Sequence, residues 1–359
     1  PDFANQATTN GWPGDGTQGN PYIIGGYEID GNGGTYCIWI ENADVWFVVE
    51  NCKLWNATNT GSEPYGCGIS LKNVTNGTLA NNNWSGSLRY GILLYYYSSY
   101  NNITNNNCSG NSYYGIFLSY SSNNNLTNNH CSNSNEGIYL DFSTNNNITN
   151  NNCSYNPYYS IYLFYSSNNN ITNNNCGNGI GIYLSSSTNN NITNNNCSSN
   201  SYDGIFLVDS TNNNITYNTC SGNHHGIYLS SSSNNYITYN NFYHNTNYAI
   251  YISSSSTGNI IHHNNFYQNN GAAKGVNGNC QAYDSAGGNT WYDNSVNEGN
   301  YWSNWDGNGN GTASAYPIAG GAGAYDMYPL SNPAPELSPI AVIAVAIALL
   351  GIIALRRRK

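Results

Sequence analysis

Residues 181–197 read GIYLSSSTNNNITNNNC. Ile182 and Leu184 stand two apart, the spacing of side chains on one face of a strand. Ile192 supplies a further apolar point, and Cys197 follows five residues later. The unit recurs in register along the chain. Ile92, Ile116, Ile138, Ile161, Ile182, Ile205, Ile227 and Ile250 form one column, with Leu or Ile two residues on in every case. Ile103, Leu126, Ile148, Ile171, Ile192, Ile215, Ile237 and Ile261 form another. Cys108, Cys131, Cys153, Cys176, Cys197 and Cys220 mark the same beat every 21 to 23 residues. No helical spacing competes within these units. Short strands repeating at this period predict an all-β parallel β-helix, a single-stranded solenoid of stacked coils. Coils about 4.8 Å apart give a rod of roughly 50 Å.

The cysteine place also holds Cys52, Trp84, Phe242 and Phe266 in other coils. A slot that accepts Cys, Trp and Phe faces inward, and the six cysteines read as a buried ladder of free thiols acting as small hydrophobes. Bridges between adjacent coils and a soft-metal thiolate column are the alternatives. Cys37 and Cys67 precede matching isoleucines on neighbouring coils and are the candidate disulfide. The Asn tracts suit corners, because Asn tolerates left-handed backbone, and inward Asn side chains can stack into ladders. The Gly before most first-column isoleucines (Gly91, Gly115, Gly137, Gly204, Gly226) suggests a tight turn into the strand.

Composition narrows the function. Charged residues make up only 7% of the 359, against ~25% in ordinary domains. Four of the eight basic residues are Arg356, Arg357, Arg358 and Lys359, so no basic footprint for nucleic acid exists. Residues 340–355 (IAVIAVAIALLGIIAL) are uniformly apolar and precede those charges. Sixteen residues rise about 24 Å as a helix, nearly a hydrocarbon core. They predict one transmembrane α-helix with a cytoplasmic basic tail and an outer ectodomain. The expected divisions are an N-terminal cap at 1–36, repeats at 37–270, a C-terminal cap at 271–330, a Pro-rich linker at 331–339, the span at 340–355 and the tail at 356–359. The chain begins at Pro1, which is read as a targeting segment already removed.

GDGTQGNPYIIGGYEIDG (14–31), the repeated GIYLSSSTNNNITNNNC and GNYWSNWDGNGNGTASAYPIAGGAGAYDMYPL (299–330) together resemble the NosD-like right-handed parallel β-helix proteins. The resemblance implies right-handedness, a pectin-lyase-like fold and a place outside the membrane, on archaeal-type cell surfaces. It also implies kinship with carbohydrate-binding and sugar-hydrolase β-helices. The family namesake is associated with copper-site maturation, a role the repeat itself does not carry.

Candidate sites follow from the repeat. Asn102, Asn125, Asn147, Asn170, Asn191 and Asn214 open N-x-S/T sequons beside inward residues, so they form an outward row of possible glycan acceptors. Phe117, Tyr139, Tyr162, Tyr183, Phe206, Tyr228 and Tyr251 lie between the inward columns and form an outward aromatic stripe. That stripe suits sheet stabilisation, protein contact or sugar contact. Asp306, Asn308 and Asn310 copy half a calcium loop without its bidentate Glu, so calcium is the one cofactor suggested and none is required. His224, His225, His244, His262 and His263 gather in the last coils, with Asp203 and His225 at equivalent places on adjacent coils. Imidazoles suit zinc or copper, but no fixed ligand spacing is present. The acids of the coils, Glu136, Asp141, Asp203 and Asp209, are spread apart and offer no catalytic pair. The expectation is a non-enzymatic, membrane-anchored surface or envelope protein, glycosylated and self-assembling into a lattice or filament. A carbohydrate-binding or carbohydrate-processing module is the alternative, and metal handling comes third.

Overall fold

The computed structural model describes residues 3–59, 61, 66–86, 89–253, 255–271, 279–305 and 315–335. Parallel strands stack into two sheets of eleven strands each, with a third face of short strands and single bridges between them. Each coil contributes one strand to each face. The register joins equivalent apolar residues: Ile138 faces Ile116 and Ile161, and Ile148 faces Leu126 and Ile171. All these side chains are fully buried, as are the six column cysteines. The apolar columns therefore meet along the axis as continuous rows, each residue packing on its own equivalents above and below.

The Asn triplets divide three tasks. In the stretch Thr188–Asn191, Asn189 takes left-handed backbone (φ 57°), Asn190 points inward and Asn191 points outward. The second triplet repeats this with Asn194 at φ 57° and Asn195 inward. The inward residues form the expected ladders. Asn195 donates from Nδ2 to the Asn218 carboxamide oxygen (3.0 Å) and to the Ile171 carbonyl (2.8 Å). Its backbone N–H reaches the same Asn218 oxygen at 2.9 Å. Its own oxygen accepts both the Nδ2 and the backbone N–H of Asn174. A buried amide normally costs free energy; here it is satisfied on all sides, so the ladder converts that cost into coil-to-coil register.

The solenoid is longer than 37–270. Tyr22–Gly25 already pairs with Phe47–Glu50, so the N-terminal cap ends before residue 22 and consists chiefly of the helix Phe3–Asn10. Ala282–Asp284 extends the outer sheet beyond Ile250–Ile252, and Asn289 and Asn300 prolong the two inward ladders. Longer insertions between these strands hide the period from sequence. Trp302 then closes the core, stacked between Phe266 (4.0 Å) and Tyr316 (3.9 Å).

The glycine column has a different cause from a turn. These residues do not adopt positive φ. A Cβ at Gly115 would stand 2.7 Å from the Gly137 carbonyl oxygen and 2.9 Å from the Cys131 Cβ. The constraint is close approach of stacked backbones above the thiol ladder, where Ser160 alone replaces glycine between Gly91 and Gly226.

No disulfide joins Cys37 to Cys67, contrary to the proposed bridge. Cys67 lies opposite Tyr36, one place out of step with Cys37. Cys37 therefore faces the interior while Cys67 packs with Tyr90 and Leu93 outside. The segment 340–355 and the residues Asp306, Asn308 and Asn310 lie outside the described residues. Among the described residues no helix is long and apolar enough to cross a membrane.

Candidate functional site: the outer aromatic face

The strand Glu136–Asp141 shows how the outer face is built. Ile138 and Leu140 point in, so Glu136, Tyr139 and Asp141 are left outside. Stacking carries each to its neighbours. The Tyr139 place becomes the aromatic stripe, with Phe117–Tyr139, Tyr139–Tyr162 and Tyr162–Tyr183 centroids 4.7 to 4.9 Å apart and nearly parallel. Tyr183, Phe206 and Tyr228 continue it. Tyr228 and Tyr251 instead meet edge-on at 83°. The rings cover one another's faces, so the stripe is half-buried and shows mainly its edges.

A second column runs beside it, formed by the residue before each small one. In order it holds Tyr90, Tyr114, Glu136, Tyr159, Ile180, Asp203, His225 and Tyr248. Glu136 is thus inserted between the rings of two tyrosine positions. Its Oε2 is buried without a hydrogen-bond partner. Burial pushes its carboxyl up to about 8, so it is a neutral acid at neutral pH. Burial also raises Asp141, opposed by a weak bond from Ser119.

At the next corner the chain departs from economy. Tyr120, Phe142 and Tyr165 occupy left-handed backbone (φ 48°, 45° and 46°), where bulky side chains are unusual. Later coils place Ser186, Asp209 and Ser231 there. The three rings stack in parallel at 4.9 to 5.0 Å and remain 41–48% exposed. Tyr120 also walls a depression of about 240 Å³ lined by Tyr90, Leu93, Tyr95, Tyr96, Phe117 and Ser119. A larger hollow of about 630 Å³ lies at the N-terminal end, between the cap helix and the first coils, around Trp12, Tyr27 and Trp39.

The sequon asparagines do form an outward row. Their side chains are joined in a ladder of their own: Asn125, Asn147, Asn170, Asn191 and Asn214 each donate to the preceding member at 2.8 to 2.9 Å. The threonine hydroxyls of four of these sequons donate to the Asn oxygens. Members one coil apart are about 4.8 Å from each other, too close for every one to carry a sugar.

The histidines separate into two groups. His225 Nδ1 lies 2.9 Å from Asp203 Oδ1 and 3.1 Å from His224 Nδ1. Farther along, Tyr236 Oη, His262, His263 and Glu298 form a chain of contacts: 2.9 Å to His262 Nε2, 2.5 Å between the Nδ1 atoms, and 2.7 Å from His263 Nε2 to Glu298. Burial, then His263, holds His262 down at about 4. His244 is exposed and joins neither group.

A family model described as periplasmic copper-binding protein (NosD) matches residues 128–307, half of the chain. The chain belongs to the NosD family. A right handed beta helix region overlaps this on 17–176, which fixes the handedness of the solenoid. No curated protein matches. Among solved structures, the Dettilon tailspike protein is similar at 18% identity and TM-score 0.60, over 74% of this chain and 58% of the tailspike. This NosD chain thus spans little more than half of the tailspike's length. DFA-IIIase from Arthrobacter chlorophenolicus A6 in complex with GF2 is similar at 13% identity and TM-score 0.54, over 74% and 81%. These likenesses establish the fold.

Copper in the family description calls for soft or imidazole donors. The column thiols do not fit. Cys131, Cys153, Cys197 and Cys220 are wholly buried, and burial raises them far from the thiolate range. The donor set that does fit is Asp203, His224 and His225, whose ligand atoms converge at the surface. Sequence reasoning placed Asp203 beside His225 but missed Glu136. The usable signal was that all three precede the tight glycine.

Proposed function

We propose that this protein is a carbohydrate-binding solenoid whose sugar site is the ring-lined depression between Tyr96 and Tyr120. The observation that carries this is a hollow of about 240 Å³ walled by Tyr90, Tyr95, Tyr96, Phe117 and Tyr120, with the Ser119 hydroxyl in its lining. Sugar rings present C–H faces to aromatic rings and hydroxyls to phenol and serine oxygens, so this lining matches both halves of a pyranose. The row Tyr120–Phe142–Tyr165 extends the apolar edge along the rod, as a polymer would use it. Backbone strain at these three positions is maintained for exposed rings, which packing alone does not require. The named neighbours, a tailspike and an enzyme in complex with GF2, support a sugar reading of such a rod.

Binding without cleavage is the favoured form. Glu136 and Asp141 stand at opposite ends of one strand, five residues and about 16 Å of backbone apart, beyond the about 5–9.5 Å between paired glycosidase carboxyls. Isothermal titration of the protein against neutral and acidic polysaccharides tests the reading. Tyr120→Asn suits the corner backbone and should abolish binding with melting unchanged. Binding equal to wild type in that variant would overturn it.

A second reading, an envelope rod that packs against its own copies, is favoured by the long stripe from Phe117 to Tyr228, which shows ring edges rather than faces. Membrane anchoring and glycosylation belong with that proposal. Ordered arrays in electron micrographs at high concentration would support it; monomeric rods throughout would remove it.

A further inference from the structure

The ring column breaks where His225 enters it. The imidazole lies 5.6 Å from the Tyr228 ring and 5.0 Å from that of Tyr251, and these two tyrosines abandon parallel stacking. Its Nε2 is buried with no polar partner, so the ring's polar commitments are all at Nδ1. That atom faces Asp203 and His224. Side chains of Asp203 and His225 are 9% and 7% exposed, while His224 is 52% exposed.

Three donor atoms then form a triangle with sides of 3.1, 2.9 and 3.9 Å. The point equidistant from its corners lies about 2.0 Å from each, the length of a zinc–nitrogen or zinc–carboxylate bond. With neutral imidazoles, one N–H proton at most serves this triangle, so hydrogen bonding uses the cluster poorly. A central cation uses all three lone pairs at once. Calcium bonds are 2.3–2.6 Å and want more oxygens, and magnesium keeps an octahedral oxygen shell, so neither suits it. The second histidine pair does not share the geometry. Its Nδ1 atoms are 2.5 Å apart, and Glu298 takes the other nitrogen of His263.

We propose that Asp203, His224 and His225 bind one borderline divalent transition-metal ion, of the zinc or copper(II) kind, on the outer face of the rod. Two imidazoles and one carboxylate suit that class. Two ligands are pre-positioned by adjacent coils, and the third, His224, is the exposed gate through which the ion exchanges. The open side leaves room for a water or an outside ligand, as in sites that do not serve structure alone. The site lies several coils from the ring-lined depression and stands independently of the sugar reading.

The test is titration of the full chain with Zn²⁺ by calorimetry and with Cu²⁺ by electron paramagnetic resonance. One ion per chain is expected at this site, with two-nitrogen coupling in the copper spectrum. His224→Ala should weaken binding at least tenfold and reduce the coupling to one nitrogen, with the melting temperature unchanged because the side chain is exposed. Asp203→Asn should weaken binding while keeping a hydrogen bond to His225, and His244→Ala should change nothing. Equal affinity and an unchanged spectrum in His224→Ala, or no ion retained by the wild type after buffer exchange, would overturn the proposal.

Discussion

The inward asparagine column from Asn106 to Asn300 and the outer column from Tyr90 to Tyr248 climb the same coils under the same register. The inward one keeps its residue at every step. The outer one changes from Tyr to Glu, Ile, Asp and His. An inward amide such as Asn195 makes six bonds, four of them to its equivalents on the coils above and below, so any departure orphans donors on a neighbouring coil. An outer residue needs only to fit beside its neighbours. Identity therefore records packing, and variation marks where the rod is free to carry chemistry.

The largest effect should come from breaking the invariant column. Asn195→Ala removes the acceptor of the Asn174 backbone N–H and of one Asn174 Nδ2 hydrogen, and the side-chain donor to the Ile171 carbonyl. At about 1–3 kcal/mol for each orphaned group, a loss of at least about 3 kcal/mol is expected in urea unfolding. A loss below 1 kcal/mol would mean that water repairs the ladder.

Replacing an outer residue should do the opposite. Glu136 has a raised folded pKa, so its penalty is absent below the unfolded value of about 4.5 and grows as pH rises to about 8. Glu136→Gln should match wild type at pH 4 and exceed it by on the order of 1–3 kcal/mol at pH 8. Parallel stability curves across that range would show that the carboxyl has a partner.

His262 supplies a smaller test in acid. Its folded pKa is depressed, so unfolding takes up a proton and stability falls as pH drops from 6.5 to about 4. His262→Asn should flatten that segment of the curve in a pH-resolved melt. The smallest effect concerns thiols. All ten cysteines should react with a thiol reagent after unfolding without reductant, and the six of the ladder should be protected before it. Fewer than ten would reveal a disulfide.

Much of the rod was readable from sequence because stacked coils repeat their burial. Ile182, Leu184, Ile192 and Cys197 announce strand, corner and interior by spacing alone, and the outward aromatic stripe follows from alternation. Cys37 stands one residue before Ile38 and Cys67 two before Ile69, so the in-register pairing of those isoleucines sets the two cysteines one step apart and the bridge fails on a spacing that was there to be counted. The other limits are physical. Gly115 looked like a turn residue, whereas its cause is the backbone of the next coil, a contact between residues 22 apart. The first and last coils were missed because insertions around Tyr22 and Ala282 break the period while leaving the register intact. Glu136 was visible as an acid, but its isolation among tyrosines depends on which neighbours lie above and below it.

Affinity electrophoresis of wild type, Asn195→Ala and Tyr120→Asn in polysaccharide-containing gels, run beside melts of the same samples, tests the division of labour most directly. The account predicts that Asn195→Ala melts early yet is retarded by the polysaccharide while folded, and that Tyr120→Asn melts normally yet runs free. Retardation of Tyr120→Asn equal to wild type would contradict it.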